Sequence, residues 1–185
     1  MNLYAAASGP GSFTGLRVGL TTIKALAEVY TKPIAAVSRL EVLASLGVTK
    51  TEWIAATADA GRGQVFGALY GRREGELVLN GETIVAEPNE FIADVAEKCG
   101  AQMVGWVTLD PDSIRSTPAW HARESAGESL QHVTHPLAQQ IGRIGSRKAA
   151  RGQVLTPGDL EADYVRRSDA EIFWKGGARS AGHRG

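Results

Sequence analysis

A glycine-rich segment near the start, Ser8-Gly9-Pro10-Gly11-Ser12-Phe13-Thr14-Gly15, constrains the fold of this 185-residue chain more than any other feature. The residues before it, 3–7, form a short apolar run of strand length. Glycine and proline at 9–11 then interrupt both strand and helix, and they require a tight turn. The hydroxyl of Ser12 or Thr14 can accept a hydrogen bond from a free N–H in the first turn of a helix. The segment therefore predicts a strand, a glycine turn and a capped helix.

This layout has two interpretations. In the first, Gly9, Gly11, Ser12 and Thr14 contact a phosphate, because backbone N–H groups and the helix dipole face the turn. In the second, the glycines only let the helix and the strand approach each other closely. The spacing G-x-G-x-x-x-G differs by one residue from the dinucleotide-binding pattern, and no Gly-Lys-Ser/Thr follows as in a P-loop. The spacing therefore favours the second interpretation, and the first stays open.

The helix predicted over residues 15–30 carries two apolar stripes. The inner stripe, which suits packing on a sheet, consists of Leu16, Leu20, Ile23, Ala27 and Tyr30. The outer stripe lies about 160–200° away round the helix and consists of Val18, Thr22, Ala25 and Val29. A helix on a sheet needs only one stripe, and Gly15 and Gly19 leave room beside the second. We therefore expect another helix, in this or another molecule, to pack on the outer stripe.

The run from Gly9 to Gly19 closely resembles the signature of the bacterial TsaB (YeaZ) family. Further matches lie at 24–27, 33–38 and 40–41, and weaker ones at 164–166. That family is the non-catalytic partner subunit in threonylcarbamoyladenosine modification of tRNA, and it is related to TsaD and the glycoprotease-like proteins. The resemblance therefore implies a scaffold rather than an enzyme, with no catalytic residue, cofactor or metal of its own.

The resemblance also implies the partners. We expect the chain to bind and stabilise a TsaD-like catalytic subunit by helix packing, a TsaE-like ATPase to dock on the pair, and tRNA to be bound only through the complex. A homodimer is an alternative. Combined with the outer stripe, the resemblance places the partner-binding surface on seven residues of the helix: Gly15, Arg17, Val18, Gly19, Thr22, Ala25 and Val29. The rival hypothesis is an enzyme of the same superfold, a nucleotide-binding phosphotransferase or a metallopeptidase-like protein.

The fold implied by the resemblance is α/β, of the actin/Hsp70/sugar-kinase (RNase H-like) superfold. Residues 1–48 would form the remaining part of an incomplete first lobe, with the glycine turn and the partner helix. Residues 51–175 would form a reduced second lobe, and 176–185 a disordered tail. Family members open with further strands, an Ile-Asp-Thr-Ser-like segment and a helix that have no counterpart here. We therefore expect either a start codon placed late or a shortened product.

The rest of the chain alternates between strand and helix patterns. A strand at 33–38 followed by a helix at 40–46 predicts parallel pairing with the first strand. Four further strands, at 53–58, 64–70, 76–79 and 82–86, predict an antiparallel meander. Beyond the meander, we expect a helix at 88–98, a buried strand at 103–107, irregular surface at 110–129 and a helix at 136–150.

Five side chains invite a chemical role, and each has a simpler interpretation. Asp59 precedes a glycine turn and could ligate Mg²⁺, but a turn aspartate commonly bonds its own backbone. His132 and His135 are three residues apart with no carboxylate nearby, whereas helical zinc pairs are four apart. Cys99 ends an amphipathic helix, where it suits a small buried side chain. Ser12 lacks the Gly-x-Ser-x-Gly context of a nucleophile. We expect no metal site and no nucleophile among them.

The composition of the chain further limits the kind of protein that it can be. The chain has 20 basic and 20 acidic residues, but residues 143–185 carry 9 basic and 5 acidic side chains. That basic end could touch RNA phosphates or form a solvated surface, which is the commoner case. A single cysteine permits no internal disulfide and indicates a reducing compartment. No apolar run reaches the roughly 18 residues of a membrane span, and no signal peptide pattern is present. We expect a cytoplasmic protein without membrane contact.

Overall fold

The computed structural model describes residues 2–134, 137–163 and 165 of the chain. These residues form two sheets and six helices. In chain order, the elements are β1 (Tyr4–Gly9), α1 (Phe13–Val29), β2 (Ile34–Ser38), α2 (Arg39–Ser45), β3 (Trp53–Gly61), β4 (Gln64–Arg73), β5 (Glu76–Leu79), β6 (Ile84–Ala86), α3 (Pro88–Cys99), β7 (Val104–Thr108), α4 (Pro111–Arg115), α5 (Pro118–Ser125), β8 (Leu130–His132) and α6 (Ala138–Ala150).

The smaller sheet consists of β1 and β2, which pair in parallel from Tyr4 opposite Ile34 to Gly9 opposite Ser38. The predicted parallel pairing is therefore confirmed. Helix α1 packs on β1, and α6 packs against both strands. A Cβ atom at Gly145 of α6 would lie 2.5 Å from the Cβ of Ala5 in β1. The absence of a side chain at Gly145 thus lets α6 lie directly on the sheet.

The larger sheet has six strands in the order β5-β4-β3-β7-β8, with β6 also paired to β4. β4 runs antiparallel to β3, β5 and β6, whereas β7 runs parallel to both β3 and β8. The α/β class and the antiparallel meander are confirmed. One detail differs from the expectation, because β6 joins β4 beyond the end of β5 rather than pairing with β5.

Both faces of the larger sheet are covered. Side chains of β3 alternate between the faces, as expected for a strand. Ile54 and Ala56 belong to one buried cluster, which includes residues of α2 and α6. Ala55 belongs to the other cluster, which α3, α4 and α5 complete with Phe91, Ile92, Val95, Cys99, Ile114 and Trp120. The sheet is therefore the centre of a three-layer arrangement.

The segment 110–129 is not irregular, and that prediction was wrong. It forms α4 and α5, each with proline at its start. The hydroxyl of Thr117 accepts a hydrogen bond from the N–H of Trp120 at 3.2 Å and so caps α5. Proline breaks a helix from within but suits its first turn, where no N–H is needed. Strand β8 was also not predicted.

Helices α2 and α6 connect the two sheets. Leu40 of α2 and Ile144 of α6 lie in the same buried cluster as Ile54 of the larger sheet. Beyond α6, the backbone of Leu155 exchanges hydrogen bonds with that of Ile34, at 2.8 and 3.0 Å. Leu160 is buried in the cluster beneath α1. The predicted lobe boundary near residue 50 stays a prediction, and the predicted tail at 176–185 lies outside the described residues.

Candidate partner-binding face

The two stripes of α1 differ sharply in exposure. Leu20 and Ala27 of the inner stripe are 6% and 0% exposed and lie against β1. Val18 and Val29 of the outer stripe are 62% and 74% exposed. The helix therefore leaves one apolar face uncovered by the rest of the described chain. We call this surface the outer face of α1; it comprises the seven residues predicted to bind a partner, Gly15, Arg17, Val18, Gly19, Thr22, Ala25 and Val29, all of which are exposed.

The outer face is nearly flat along the edge that carries its two glycines. A Cβ atom at Gly19 would have no other atom within 4 Å, and one at Gly15 would meet only the side chain of Ser12. The hydroxyl of Thr22 donates a hydrogen bond to the carbonyl oxygen of Val18 at 2.9 Å, so its donor is turned to its own helix. A second helix could therefore approach the backbone of α1 closely without leaving a polar group of Thr22 unpaired.

Arg17, the charged residue of the outer face, packs on a neighbouring aromatic ring. The guanidinium of Arg17 lies over the ring of Phe13, 3.9 Å from its centroid. Such a contact attracts the charge to the negative face of the ring. Arg17 thus lies along the N-terminal edge of the outer face. Val18 and Val29 remain the main exposed apolar side chains of that face.

Sequence reasoning misplaced Tyr30. It was assigned to the inner stripe, but it is 59% exposed, because the helix ends at Val29 and Tyr30 is its C-cap residue. Tyr30 therefore extends the apolar surface instead of covering the sheet. Next to it, an apolar groove of 360 Å³ lies between residues 27–33 and 154–157. Its two walls are distant in the sequence, so no local pattern could have indicated it.

The glycine turn contacts the segment around Asp163, which is distant from it in the sequence. A Cβ atom at Gly9 would lie 2.8 Å from the carbonyl oxygen of Asp163, and the N–H of Asp163 donates to the carbonyl of Ser8 at 2.7 Å. Gly9 has a φ of 129°, which side chains disfavour. The predicted cap is confirmed for Ser12, whose hydroxyl accepts from the N–H of Gly15 at 3.4 Å. A phosphate contact of Gly9, Gly11, Ser12 and Thr14 stays a prediction.

Charged groups behind the turn are partly buried. Burial lowers the pKa of Arg39, an effect that the nearby carboxylate of Asp59 opposes. Burial likewise raises the pKa of Asp163. Asp59 itself accepts a hydrogen bond from the N–H of Gly61 at 2.8 Å, so the predicted bond to its own backbone is confirmed. These groups support the turn and the hairpin between β3 and β4.

The other candidate reactive groups are dispersed. Cys99 is buried, and burial raises the pKa of its thiol. His132 lies exposed at the end of β8, and His135 falls outside the described residues. Within 2–134, 137–163 and 165, no three histidine, cysteine or carboxylate side chains are grouped as metal ligands. In that same part of the chain, no helix is long and apolar enough to cross a membrane.

Comparison with known proteins decides the family. A family model described as "TsaD: tRNA N6-adenosine threonylcarbamoyltransferase" matches residues 2–114. The tRNA threonylcarbamoyladenosine biosynthesis protein TsaB of Bacillus subtilis (strain 168) is 34% identical over 173 residues, which cover 91% of this chain and 71% of that protein. The chain belongs to the TsaB (YeaZ) family.

A further relative agrees with this assignment, and two solved structures share the fold. The TsaB protein of Escherichia coli (strain K12) is 27% identical over 95% of this chain and 74% of its own length. A crystal structure from Pseudomonas aeruginosa, described as an uncharacterized protein with similarity to peptidase YEAZ, has a TM-score of 0.69 and 26% identity over 90% of this chain and 74% of that chain. A structure of YeaZ from Pseudomonas aeruginosa has a TM-score of 0.71 and 24% identity, with 89% of this chain and 73% of that chain covered.

The TsaB family assignment confirms the fold expected from the resemblance. The mixed sheet, the YeaZ neighbours and the TsaD-like domain together agree with the actin/Hsp70/sugar-kinase superfold. Four of the seven residues of the outer face lie within the run Gly9 to Gly19, which resembles the family signature, and the other three follow it in α1. The run and the exposed apolar face therefore overlap on one helix.

Proposed function

We propose that this protein is a non-catalytic scaffold subunit for tRNA N6-threonylcarbamoyladenosine formation and that it binds a TsaD-like catalytic subunit through the outer face of α1. The observation that carries the proposal is the exposure of Val18 and Val29 on a helix whose opposite stripe is buried. Contiguous exposed apolar surface on a globular protein commonly marks an interaction site. Burial of such surface contributes about 25 cal/mol per Å² to association.

The flat edge of the outer face, where the two glycines lie, favours a helix as the occupant. Gly15 and Gly19 lie one turn apart, and nothing stands beside Gly19. Two helices approach most closely where both lack bulky side chains at their crossing. A helix of the catalytic subunit would therefore cross α1 near Gly19, with Val18 and Val29 packed at its flanks. A homodimer through the same face is the competing occupant.

The remaining components follow from this role. Catalytic groups and any metal would belong to the TsaD-like subunit, a TsaE-like ATPase would dock on the pair, and tRNA would be bound by the assembled complex in the cytoplasm. The relative from Bradyrhizobium named tRNA N6-adenosine threonylcarbamoyltransferase, 33% identical over 156 residues, supports shared ancestry of scaffold and enzyme. Its match covers 78% of this chain and 43% of that protein.

The test is a calorimetric titration of the TsaD-like subunit with the Gly19→Leu variant. A leucine at this exposed helical position enters open space in the free chain, but it would overlap a closely packed partner helix. Overpacking costs about 1–3 kcal/mol, and each 1.4 kcal/mol is tenfold in affinity. We expect binding at least about tenfold weaker than that of the parent chain.

The matched control is Gly142→Leu in α6. A Cβ there also meets no atom within 4 Å, so the variant makes the same change in another helix. It should bind the TsaD-like subunit as the parent does. Equal binding by the parent and the Gly19→Leu variant would place the interface elsewhere. If Gly19→Leu instead converts a dimer of this chain to a monomer and leaves TsaD binding unchanged, the occupant is a second copy.

A further inference from the structure

Helix α6 carries a row of arginines on one side. Arg143, Arg147 and Arg151 are spaced four residues apart, and all three are exposed. Side chains at i and i+4 of a helix are neighbours, so these arginines follow one another at intervals of about 6 Å along the axis. We call this row, with the glutamines and small residues beside it, the basic face of α6.

The basic face has no acidic counterpart on its own helix. Residues 138–150 include Arg143, Arg147 and Lys148 but no aspartate or glutamate. The helix dipole favours cations in the last turn, which accounts for Arg147 and Lys148. It does not account for Arg143, which lies in the middle of the helix. A solvated helix face would more commonly alternate charges at this spacing.

The cations differ in how they are paired. Lys148 forms an ion pair with Glu41 at 2.7 Å, and Arg151 forms an ion pair with Glu76. Arg143 and Arg147 make no hydrogen bond or ion pair with any residue that the structure describes. Arg147 lies near Glu76, the carboxylate with which Arg151 pairs. The exposed guanidinium groups of Arg143 and Arg147 nevertheless have planar donor arrays, suited to phosphate, that no described carboxylate occupies.

The surface between the arginines is shallow, and it presents both polar and apolar atoms. A shallow depression along α6 is lined by Gln139, Gln140, Gly142, Arg143, Ser146 and Arg147. A Cβ at Gly142 would have no atom within 4 Å, so the helix backbone is accessible there. An extended anionic chain could thus lie against the helix, with amide and hydroxyl groups beside the arginines.

We propose that the basic face of α6 binds the phosphate backbone of RNA, with Arg143 and Arg147 each contacting a phosphate. This inference rests on the proposed function, because tRNA is the polyanion with which the family works. It adds a contact made by this chain itself to binding through the complex. Contacts of this kind position the RNA and do not read its sequence.

The experiment measures fluorescence anisotropy of a labelled tRNA transcript with the purified chain, at KCl concentrations from 50 to 200 mM. Neutralising each phosphate releases counterions, so the affinity should fall steadily with salt. The Arg143→Gln/Arg147→Gln variant should bind at least about tenfold more weakly at the lowest salt. Its salt slope should decrease by about 1 for each arginine removed.

The matched control is Arg115→Gln, which removes a charge from an exposed position on α4. It should bind tRNA like the parent chain. Arg143→Lys/Arg147→Lys retains the charges, and it should retain most of the salt slope while all four proteins keep the same helical circular dichroism. Failure of the parent chain to bind tRNA at 50 mM KCl, or an equal loss in the Arg115→Gln control, would overturn the proposal.

Two further outcomes separate this inference from the scaffold role. If the arginine variants bind tRNA normally but lose the TsaD-like subunit, the basic face is a protein contact and the RNA proposal is wrong. If they lose tRNA while Gly19→Leu leaves TsaD binding unchanged, the RNA contact stands and the proposed interface on α1 is wrong.

Discussion

Helices α1 and α3 each cover a sheet, but their outer sides differ in kind. On α3, the buried side chains Phe91 and Val95 face the sheet, and an ion pair between Lys98 and Asp94 at 2.7 Å lies on the partly exposed side. The corresponding outer side of α1 instead exposes two apolar side chains, Val18 and Val29. Helix α3 is therefore an ordinary surface helix, whereas the outer side of α1 is apolar and exposed, which is the basis of the proposed interface.

This difference indicates that separate regions of the molecule determine its stability and its association with a partner. The six-stranded sheet is buried on both faces, so substitutions there should affect folding first. The outer face of α1 makes little contact within the chain, so substitutions there should affect association and leave folding nearly unchanged. Substitutions in the two regions test this separation, and the largest effect is expected in the buried sheet.

Replacement of Trp106 by alanine should destabilise the chain by about 3–5 kcal/mol, the usual cost of deleting a buried aromatic ring. Trp106 is 1% exposed, and its ring lies edge-on to Phe91 and Trp120. Its indole N–H donates to Glu128 at 2.6 Å, a bond that the variant also loses. Urea unfolding gives the free energy. Trp53→Ala, in a partly exposed position, is the control and should cost less; equal costs would contradict the placement of the core.

Replacement of Gly145 by alanine should destabilise the chain by about 1–3 kcal/mol, since the new methyl group would overlap Ala5 of β1. Gly142→Ala on the same helix meets open space, and it should stabilise by up to about 1 kcal/mol because alanine is the better helix former. Thermal denaturation distinguishes the two. A stabilising Gly145→Ala substitution would show that α6 does not rest on the smaller sheet.

Stability should fall in alkaline solution because of Tyr70. Burial raises the pKa of its phenol, and the carboxylate of Glu41 adds to the effect. The folded state thus favours the neutral phenol, and this contribution is present below pH 10 and lost as the pH rises above it. We expect a loss of up to about 1.4 kcal/mol for each pH unit above 10. Tyr70→Phe removes the ionisation, so its stability should be less sensitive to pH over the same range; an identical profile would refute this assignment.

The smallest effect on folding should come from Val29→Ser. This position is highly exposed, and exposed substitutions usually change stability by less than about 0.5 kcal/mol. The same variant should bind the TsaD-like subunit measurably more weakly, as judged by calorimetry. A large loss of stability with unchanged binding would reverse the expected roles of the two faces of α1.

Local patterns in the sequence predicted much of the fold. The glycine turn, the cap at Ser12 and the two stripes of α1 follow from chemistry within a few residues, and the structure agrees with each of them except at Tyr30. Prediction failed at 110–129, which was expected to be irregular surface although proline there begins α4 and α5. Proline breaks a helix when it lies in the interior, but it is favoured in the first turn. The composition of a segment does not tell which of these positions a proline takes.

The surroundings of the site could not be predicted, because they are formed by contacts between residues that are distant in the sequence. The approach of Asp163 to Gly9 joins opposite ends of the described chain, and no periodicity could indicate it. The groove beside Tyr30 and the position of α6 on β1 arise in the same way. Sequence patterns identified which face of α1 is uncovered, whereas only the tertiary structure identified what lies next to it.

Hydrogen–deuterium exchange tests the central claim most directly. The full chain is compared alone and with the TsaD-like subunit, and amide protection is followed in α1 (Phe13–Val29) and α3 (Pro88–Cys99). Amides in a helix exchange through local opening, which a partner packed on the helix suppresses. We expect slower exchange throughout α1 in the complex and unchanged exchange in α3. Protection of α3 with no change in α1 would contradict the assignment of the partner-binding face.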